Sequence, residues 1–210
     1  MAGELTEIGT EAFKDCELLE ALDIPETTIV HHPAFSNCSF IKKVVIPEGT
    51  TTINPSAFKD YIALEELILP DSLETLPNLA LDTCPNLKKV VLPRTTGISH
   101  HPIRISLPLE FFKNCKKLES VTLPENITSI DIGTFSGCTS LKTIEIPEGV
   151  TSISGYAFLD CTSLETVNLS RVKTLGIGAF RACTSLKTIE LTNNVTGAAS
   201  AFYNCRKLNQ

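Results

Sequence analysis

Tryptophan is absent from the 210 residues, and methionine occurs once. Long apolar runs are absent too. None approaches the roughly eighteen residues that a membrane-crossing helix needs. There is no cluster of Lys and Arg, and the formal net charge is −6. That speaks against a nucleic-acid binder, which carries a basic face, and against an anionic membrane surface. The opening "MAGELTEIGTEAF" lacks a basic stretch followed by an apolar core, so no secretory leader is visible; a chain whose leader had been removed would read the same. No two cysteines lie within 20 residues of each other, and no glycine-rich phosphate loop occurs. What is present is 42% apolar residues, enough for the core of one sizeable domain.

The eight cysteines carry the organisation. They fall at Cys16, Cys38, Cys84, Cys115, Cys138, Cys161, Cys183 and Cys205, mostly 22 or 23 residues apart. Tyr61 fills the place missing between Cys38 and Cys84, and the 31-residue step from Cys84 to Cys115 contains an insertion of eight. Three residues before each of these positions stands Phe, as at Phe13, Phe58, Phe135, Phe158 and Phe180, or Leu81. Three residues after stands Leu or Ile, then an alternating apolar triplet and usually Pro, as in "LKTIEIP". A second apolar pair follows, as at Val150 and Ile153.

The pattern "AFxxCxxLxxVxLP" with "VTSI", as in Ala157 to Leu169 and Val150 to Ile153, resembles the BspA-like leucine-rich repeat family over essentially the whole chain. Tyr61, Leu81, the insertion and the weak last turn at Gly197 to Ser200 depart from it. The resemblance implies a leucine-rich-repeat solenoid of the α/β horseshoe class, rich in β, with a parallel sheet on the concave face and short turns and single-turn helices on the other side. It also implies protein binding, with surface adhesion or host contact as the common context. The expected organisation is one solenoid over 1–210 of about nine 22–23-residue repeats, the first and last incomplete, with an inserted loop near 94–102.

Physical chemistry supports the same architecture. Alternation in "TIEIP" sends Ile144 and Ile146 to one face and Thr143 and Glu145 to the other. The proline ends the strand by removing a ladder donor. One turn cannot bury its own apolar side, and stacking the turns builds a continuous core. The chain stops at Asn209-Gln210, where a ninth strand would begin, and neither end reads as a polar cap. The expectation is a fragment, or ends covered by further repeats, domains or subunits.

In-register cysteines on neighbouring strands stand about 4.8 Å apart, which does not suit the 2.05 Å sulfur–sulfur bond of a disulfide. Zinc needs converging ligands, and a catalytic thiol needs a base and an electropositive setting. Neither pattern occurs. The reading is a ladder of reduced, buried, unmetallated thiols packing one corner of the core, with Tyr61 in the same column serving the same purpose.

All four histidines lie in two copies of one tripeptide, His31-His32-Pro33 and His100-His101-Pro102. Without a nearby carboxylate or thiolate they read as polar turns rather than metal ligands. Sequons at Asn37, Asn126, Asn168 and Asn194 carry little weight without secretion. Four residues after each cysteine position the charge alternates without a break: Glu20, Lys42, Glu65, Lys88, Glu119, Lys142, Glu165, Lys187. This reads as a solvated ion-pair ladder, worth about 0.2–1 kcal/mol per opposed pair. Its continuity from Lys88 to Glu119 predicts that the turns flanking the insertion stack directly.

Seven residues after each position the outward column reads Asp23, Val45, Ile68, Val91, Thr122, Glu145, Asn168, Glu190. The consecutive Val45, Ile68 and Val91 read equally as ordinary strand propensity and as an exposed binding patch. With flanking Lys43, Glu66 and Lys89, and with His100, His101 and Arg104 from the insertion, they form the expected protein-binding surface. The functional expectation is therefore a non-enzymatic module for a protein or extended peptide, with no catalytic residues, cofactor, metal, nucleic acid or membrane insertion. The alternative is an intracellular structural or scaffold subunit of a larger assembly. The resemblance implies a cell-surface or secreted location, and a genuine lack of leader implies a cytoplasmic one.

Overall fold

The structure, a computed structural model, describes residues 7–9, 11–13, 16, 21–23, 29–30, 40–55, 57–79, 81–94, 107–191 and 195–208; at 21–23, 29–30 and 198 it describes the backbone alone. In chain order the strands are β1 (Glu7–Ile8), β2 (Ala21–Asp23), β3 (Ile29–Val30), β4 (Lys43–Val45), β5 (Glu66–Ile68), β6 (Lys89–Val91) and β7 (Ser120–Thr122). They continue with β8 (Ser129–Ile130), β9 (Thr143–Ile144), β10 (Ser152–Ile153), β11 (Thr166–Leu169), β12 (Thr174–Leu175) and β13 (Thr188–Leu191).

All the described pairings between these strands are parallel. One wall carries β2-β4-β5-β6-β7 and then β9-β11-β13; the other carries β1-β3 and β8-β10-β12. This is a β-solenoid. Proline sets the strand length. Pro47, Pro70, Pro93, Pro124 and Pro147 follow short strands, whereas Ser170 and Thr192 replace proline after β11 and β13, the two four-residue strands.

The core runs between the walls. Val44, Leu67 and Val90 pair in register and are buried, as are Ile130, Ile153 and Leu175 on the second wall. At one corner Phe112, Phe135, Phe158, Phe180 and Phe202 form a column of stacked rings, with centroids 4.9–5.3 Å apart and planes within 13°. The first four are buried, and Phe202, in the last turn, is half-buried. Leu81 interrupts the column, and before it Phe58 meets Tyr61 edge-on at 5.7 Å.

The helical part is smaller than expected. Among the described residues the helices are a 3₁₀ turn at Leu81–Thr83 and α1 (Ala198–Ala201). The reason lies in two backbone positions per turn that take left-handed angles. One is five residues before the cysteine, at Glu110, Gly133, Tyr156 and Gly178; the other is immediately before it, at Asn114, Gly137, Asp160, Ala182 and Asn204. A left-handed residue ends helical propagation, so the Phe-to-Cys segment stays a chain of tight turns. Asn, Asp and Gly at most of these places lower the strain.

Candidate binding face

The cysteines come first, because a reactive thiol would make the module an enzyme. Cys84, Cys115, Cys138, Cys161 and Cys183 are buried. Cys16 and Cys205, in outer turns, are half-buried, which corrects the expectation that every thiol is enclosed; Cys38 lies outside the described residues. All seven described thiols are free. Each from Cys84 onward donates to a carbonyl of the preceding turn: Cys84 to Phe58, Cys115 to Leu81, Cys138 to Phe112, Cys161 to Phe135, Cys183 to Phe158 and Cys205 to Phe180, at 3.0–3.2 Å. The same carbonyls also accept an N–H from their own turn, as Phe135 does from Cys138 at 3.1 Å. Both lone pairs of a buried oxygen are thereby used, which is a structural role.

Burial pushes the Cys84 thiol up to about 12 and raises those of Cys115, Cys138 and Cys161. The neighbouring thiol raises the next one, that of Cys161 at Cys183 and that of Cys183 at Cys205, and burial adds to both. Neutral thiols of this kind are poor nucleophiles and poor ligands. Among the described residues no three His, Cys, Asp or Glu side chains converge as a metal site would require. All four histidines lie outside the described residues.

The sheet of β2-β4-β5-β6-β7 brings together the expected patch. Val45 pairs with Ile68, Ile68 with Val91, and Val91 with Thr122. Val45, Ile68 and Val91 are half-buried rather than freely exposed, because neighbouring strands and side chains shield their flanks. The row two residues earlier is Lys43, Glu66 and Lys89. Glu66 accepts from both lysines, at 3.1 Å from Lys43 and 2.8 Å from Lys89. These hydrogen bonds, Lys89's first and Lys43's second, hold the Glu66 carboxyl below the usual carboxylate range. Beside them Lys88 meets Glu65 at 2.7 Å. His100, His101 and Arg104 lie outside the described residues.

The insertion does not break the sheet. Lys89 pairs with Ser120, and Glu119 N–H donates to the Lys88 carbonyl at 2.8 Å. The root of the insertion is fixed by Arg94, whose backbone N–H and Nε donate to the two oxygens of Asp71 at 2.7 and 2.6 Å, while its carbonyl accepts from Glu125 N–H.

Beyond β7 the character of the face changes. Thr143, Thr166 and Thr188 form an exposed hydroxyl row. Glu145, Asn168 and Glu190 form an exposed polar row beside it, in which Asn168 pairs with Glu190 and Glu145 follows Ile144, the partner of Val167. Asn168 Oδ1 accepts from Ser170 N–H at 2.9 Å, at the edge of a shallow cleft bounded by Pro147, Glu148 and Arg171.

Reasoning from the sequence missed a second apolar surface. Leu109, Ile132 and Ile177, six residues before their cysteines, are 58%, 53% and 68% exposed, and Tyr156 and Tyr203 are exposed too. Tyr156 lies over Gly178, where an added Cβ would stand 2.8 Å from the ring, and Arg181 lies over the Tyr203 ring at 5.4 Å. The signal was present in the sequence as Leu109, Ile132 and Ile177 at one phase, in a column that Gly155 interrupts.

Solved structures share this architecture. A leucine-rich repeat protein from Bacteroides ovatus aligns with a TM-score of 0.67 and 27% identity, over 97% of this chain and 57% of its own. The T. pallidum leucine-rich repeat protein gives 0.65 and 28%, over 80% of this chain and 78% of its own. A leucine-rich cell surface protein from Faecalibacterium prausnitzii, 23% identical with a TM-score of 0.54 over 91% of this chain, shares the fold; this chain spans 65% of its length. No curated protein sequence matches significantly. The model of the BspA type leucine rich repeat region matches residues 3–101 and 105–210, in six copies. With the repeat, the parallel walls and these matches in agreement, the chain belongs to the BspA-type leucine-rich repeat family.

Proposed function

We propose that the chain is a non-enzymatic protein-binding module that presents its long sheet, and the insertion rooted at Arg94, to a protein or extended peptide. Family membership supports a protein-interaction or surface repeat module, and the cell-surface description of the Faecalibacterium relative favours adhesion or host contact. No described helix is long and apolar enough to cross a membrane. The observation that carries the reading is the row Val45, Ile68 and Val91. The inward positions of these strands already supply the core through Val44, Leu67 and Val90, so the outward apolar atoms have no internal task. The proposed working surface is Val45, Ile68, Val91, Lys43, Glu66 and Lys89, with His100, His101 and Arg104 from the insertion near 94–102 as further proposed contacts on the one solenoid.

The test is a pulldown with the intact chain followed by titration of the identified partner. Ile68→Asp leaves the fold intact and weakens binding by about 2 kcal/mol if Ile68 is a hot spot. Unchanged affinity in a folded variant sinks the sheet-face reading. A second reading, a scaffold subunit covered by neighbours, draws on the exposed row Leu109, Ile132 and Ile177. It is favoured if Ile177→Asp, and not Ile68→Asp, releases the partner.

A further inference from the structure

The outward row of the long sheet changes in character along the solenoid, and the change is ordered. After Asp23 on β2, which pairs with Val45, the row runs Val45, Ile68 and Val91, then Thr122, and ends in Glu145, Asn168 and Glu190. The charges differ in the same order. Around the apolar part the carboxylates are paired, Glu65 with Lys88 and Glu66 with Lys43 and Lys89. Glu145 and Glu190 are exposed, and among the described residues neither has an ion-pair partner. One end of the face therefore offers apolar contact beside ion-paired side chains, with Lys43 and Lys89 sharing the one carboxylate of Glu66, and the other offers two open carboxylates flanked by threonine hydroxyls.

Spacing turns this gradient into a partner. Paired strands stand about 4.8 Å apart, so Val45 and Val91, and again Glu145 and Glu190, each two paired strands apart, are spaced by about 9.6 Å along the axis; between the two pairs β7 and β9 are adjacent without being hydrogen-bonded. A polyproline-type left-handed helix brings every third residue to the same side after about 9.3 Å. The two periods match within each half of the row. The preformed helix also costs little entropy to dock.

We propose that this face binds an extended, polyproline-type protein segment lying along the solenoid axis, with apolar side chains three residues apart over Val45 and Val91 and basic side chains three residues apart over Glu145 and Glu190. This rests on the protein-binding reading above and names the partner's chemistry. The carboxylates select basic residues at one end. At the other end Lys43 and Lys89 outnumber Glu66 by one positive charge, which offers no attraction to a basic group, and the apolar row favours leucine- or valine-like groups there. Acidic segments are rejected by the same two carboxylates, because like charges brought together without compensation are unfavourable.

The test uses two labelled synthetic peptides of one composition, titrated against the whole chain by fluorescence anisotropy at low salt. In the first, proline-rich throughout, leucines occupy the first and fourth positions and lysines the seventh and tenth. In the second the leucines stay in place and the lysines move to the eighth and eleventh positions, a third of a turn away from the carboxylates. The first is expected to bind about fivefold tighter, the combined worth of two exposed ion pairs. Raising the salt to about 1 M removes that advantage by screening. The double variant Glu145→Gln/Glu190→Gln, with an unchanged melting curve, is expected to bind both peptides alike. Equal affinities for the wild-type chain, an advantage that survives the double variant, or no binding of either peptide overturns the inference. If both peptides bind equally and Ile68→Asp weakens both, the sheet-face reading stands and only the assigned partner chemistry falls. If the first peptide binds tighter but Ile68→Asp leaves both affinities unchanged, the apolar half of the proposed footprint is wrong.

Discussion

Replacing Cys161 with alanine separates the two things a thiol does in this corner. Its sulfur is fully buried between turns and donates to the Phe135 carbonyl at 3.1 Å. Removing it deletes one heavy atom from a packed core, a loss comparable with Ile→Val at about 0.5–1.5 kcal/mol. It also deletes a weak hydrogen bond worth about 0.5–1 kcal/mol. The carbonyl is not orphaned, because Cys138 N–H still donates to it, so the larger penalty of an unsatisfied buried acceptor does not arise. The expected cost is about 1–2.5 kcal/mol, or a few degrees in melting temperature for a chain of this size. Cys161→Ser keeps a donor aimed at the same carbonyl but shortens the bond to it and introduces a more polar group. It is expected to fall below wild type, from poorer packing rather than from a hydroxyl left wholly unpaired. Urea melts of the three proteins decide the matter, with m-values checked for constancy. An alanine variant within about 0.3 kcal/mol of wild type would refute both the packing and the hydrogen-bond argument.

Further outcomes follow from the same core. Phe158→Ala removes the middle ring of the stack, which lies 5.1 and 4.9 Å from its neighbours, and is expected to cost about 3–5 kcal/mol in denaturant melts; a loss under about 1 kcal/mol would mean the column is not core. Thr50 occupies the core column of Leu73, Val150 and Val172, and its buried hydroxyl has no hydrogen-bond partner among the described residues. Thr50→Val is expected to stabilise by about 1 kcal/mol, and a lower melting temperature would contradict this. The raised thiols make stability fall with alkali. An unfolded chain releases these protons from about 9.0 upward, whereas folded Cys84 keeps its proton to about 12, so stability is full below that window. It is lost as pH rises through the window, by about 1.4 kcal/mol per unit for each thiol. Flat urea midpoints between pH 8 and pH 10.5 would show that the thiols are not buried as described.

The period, the parallel walls, the phenylalanine column and the direct stacking across the insertion were all legible in the sequence, because one inward pattern recurs in phase and stacking is the way such turns cover their apolar sides. The alternating charges at Lys88 and Glu119 were enough to place the turns on either side of Arg94 together. Three things were decided by tertiary structure. The corners stay turns rather than helices because left-handed residues recur at Tyr156 and Asp160 and their equivalents, and backbone angles are not written in a hydrophobic pattern. The thiols reach carbonyls one turn away, such as Cys161 to Phe135, a contact between residues 26 apart that only the stack creates. The degree of exposure also depended on neighbours: Ile68, placed outward by alternation, is half-covered by adjoining strands, while Ile177, placed at a tight turn, stands 68% exposed. Alternation assigns a side chain to a face, but the packing of adjacent turns determines how much of that face meets water.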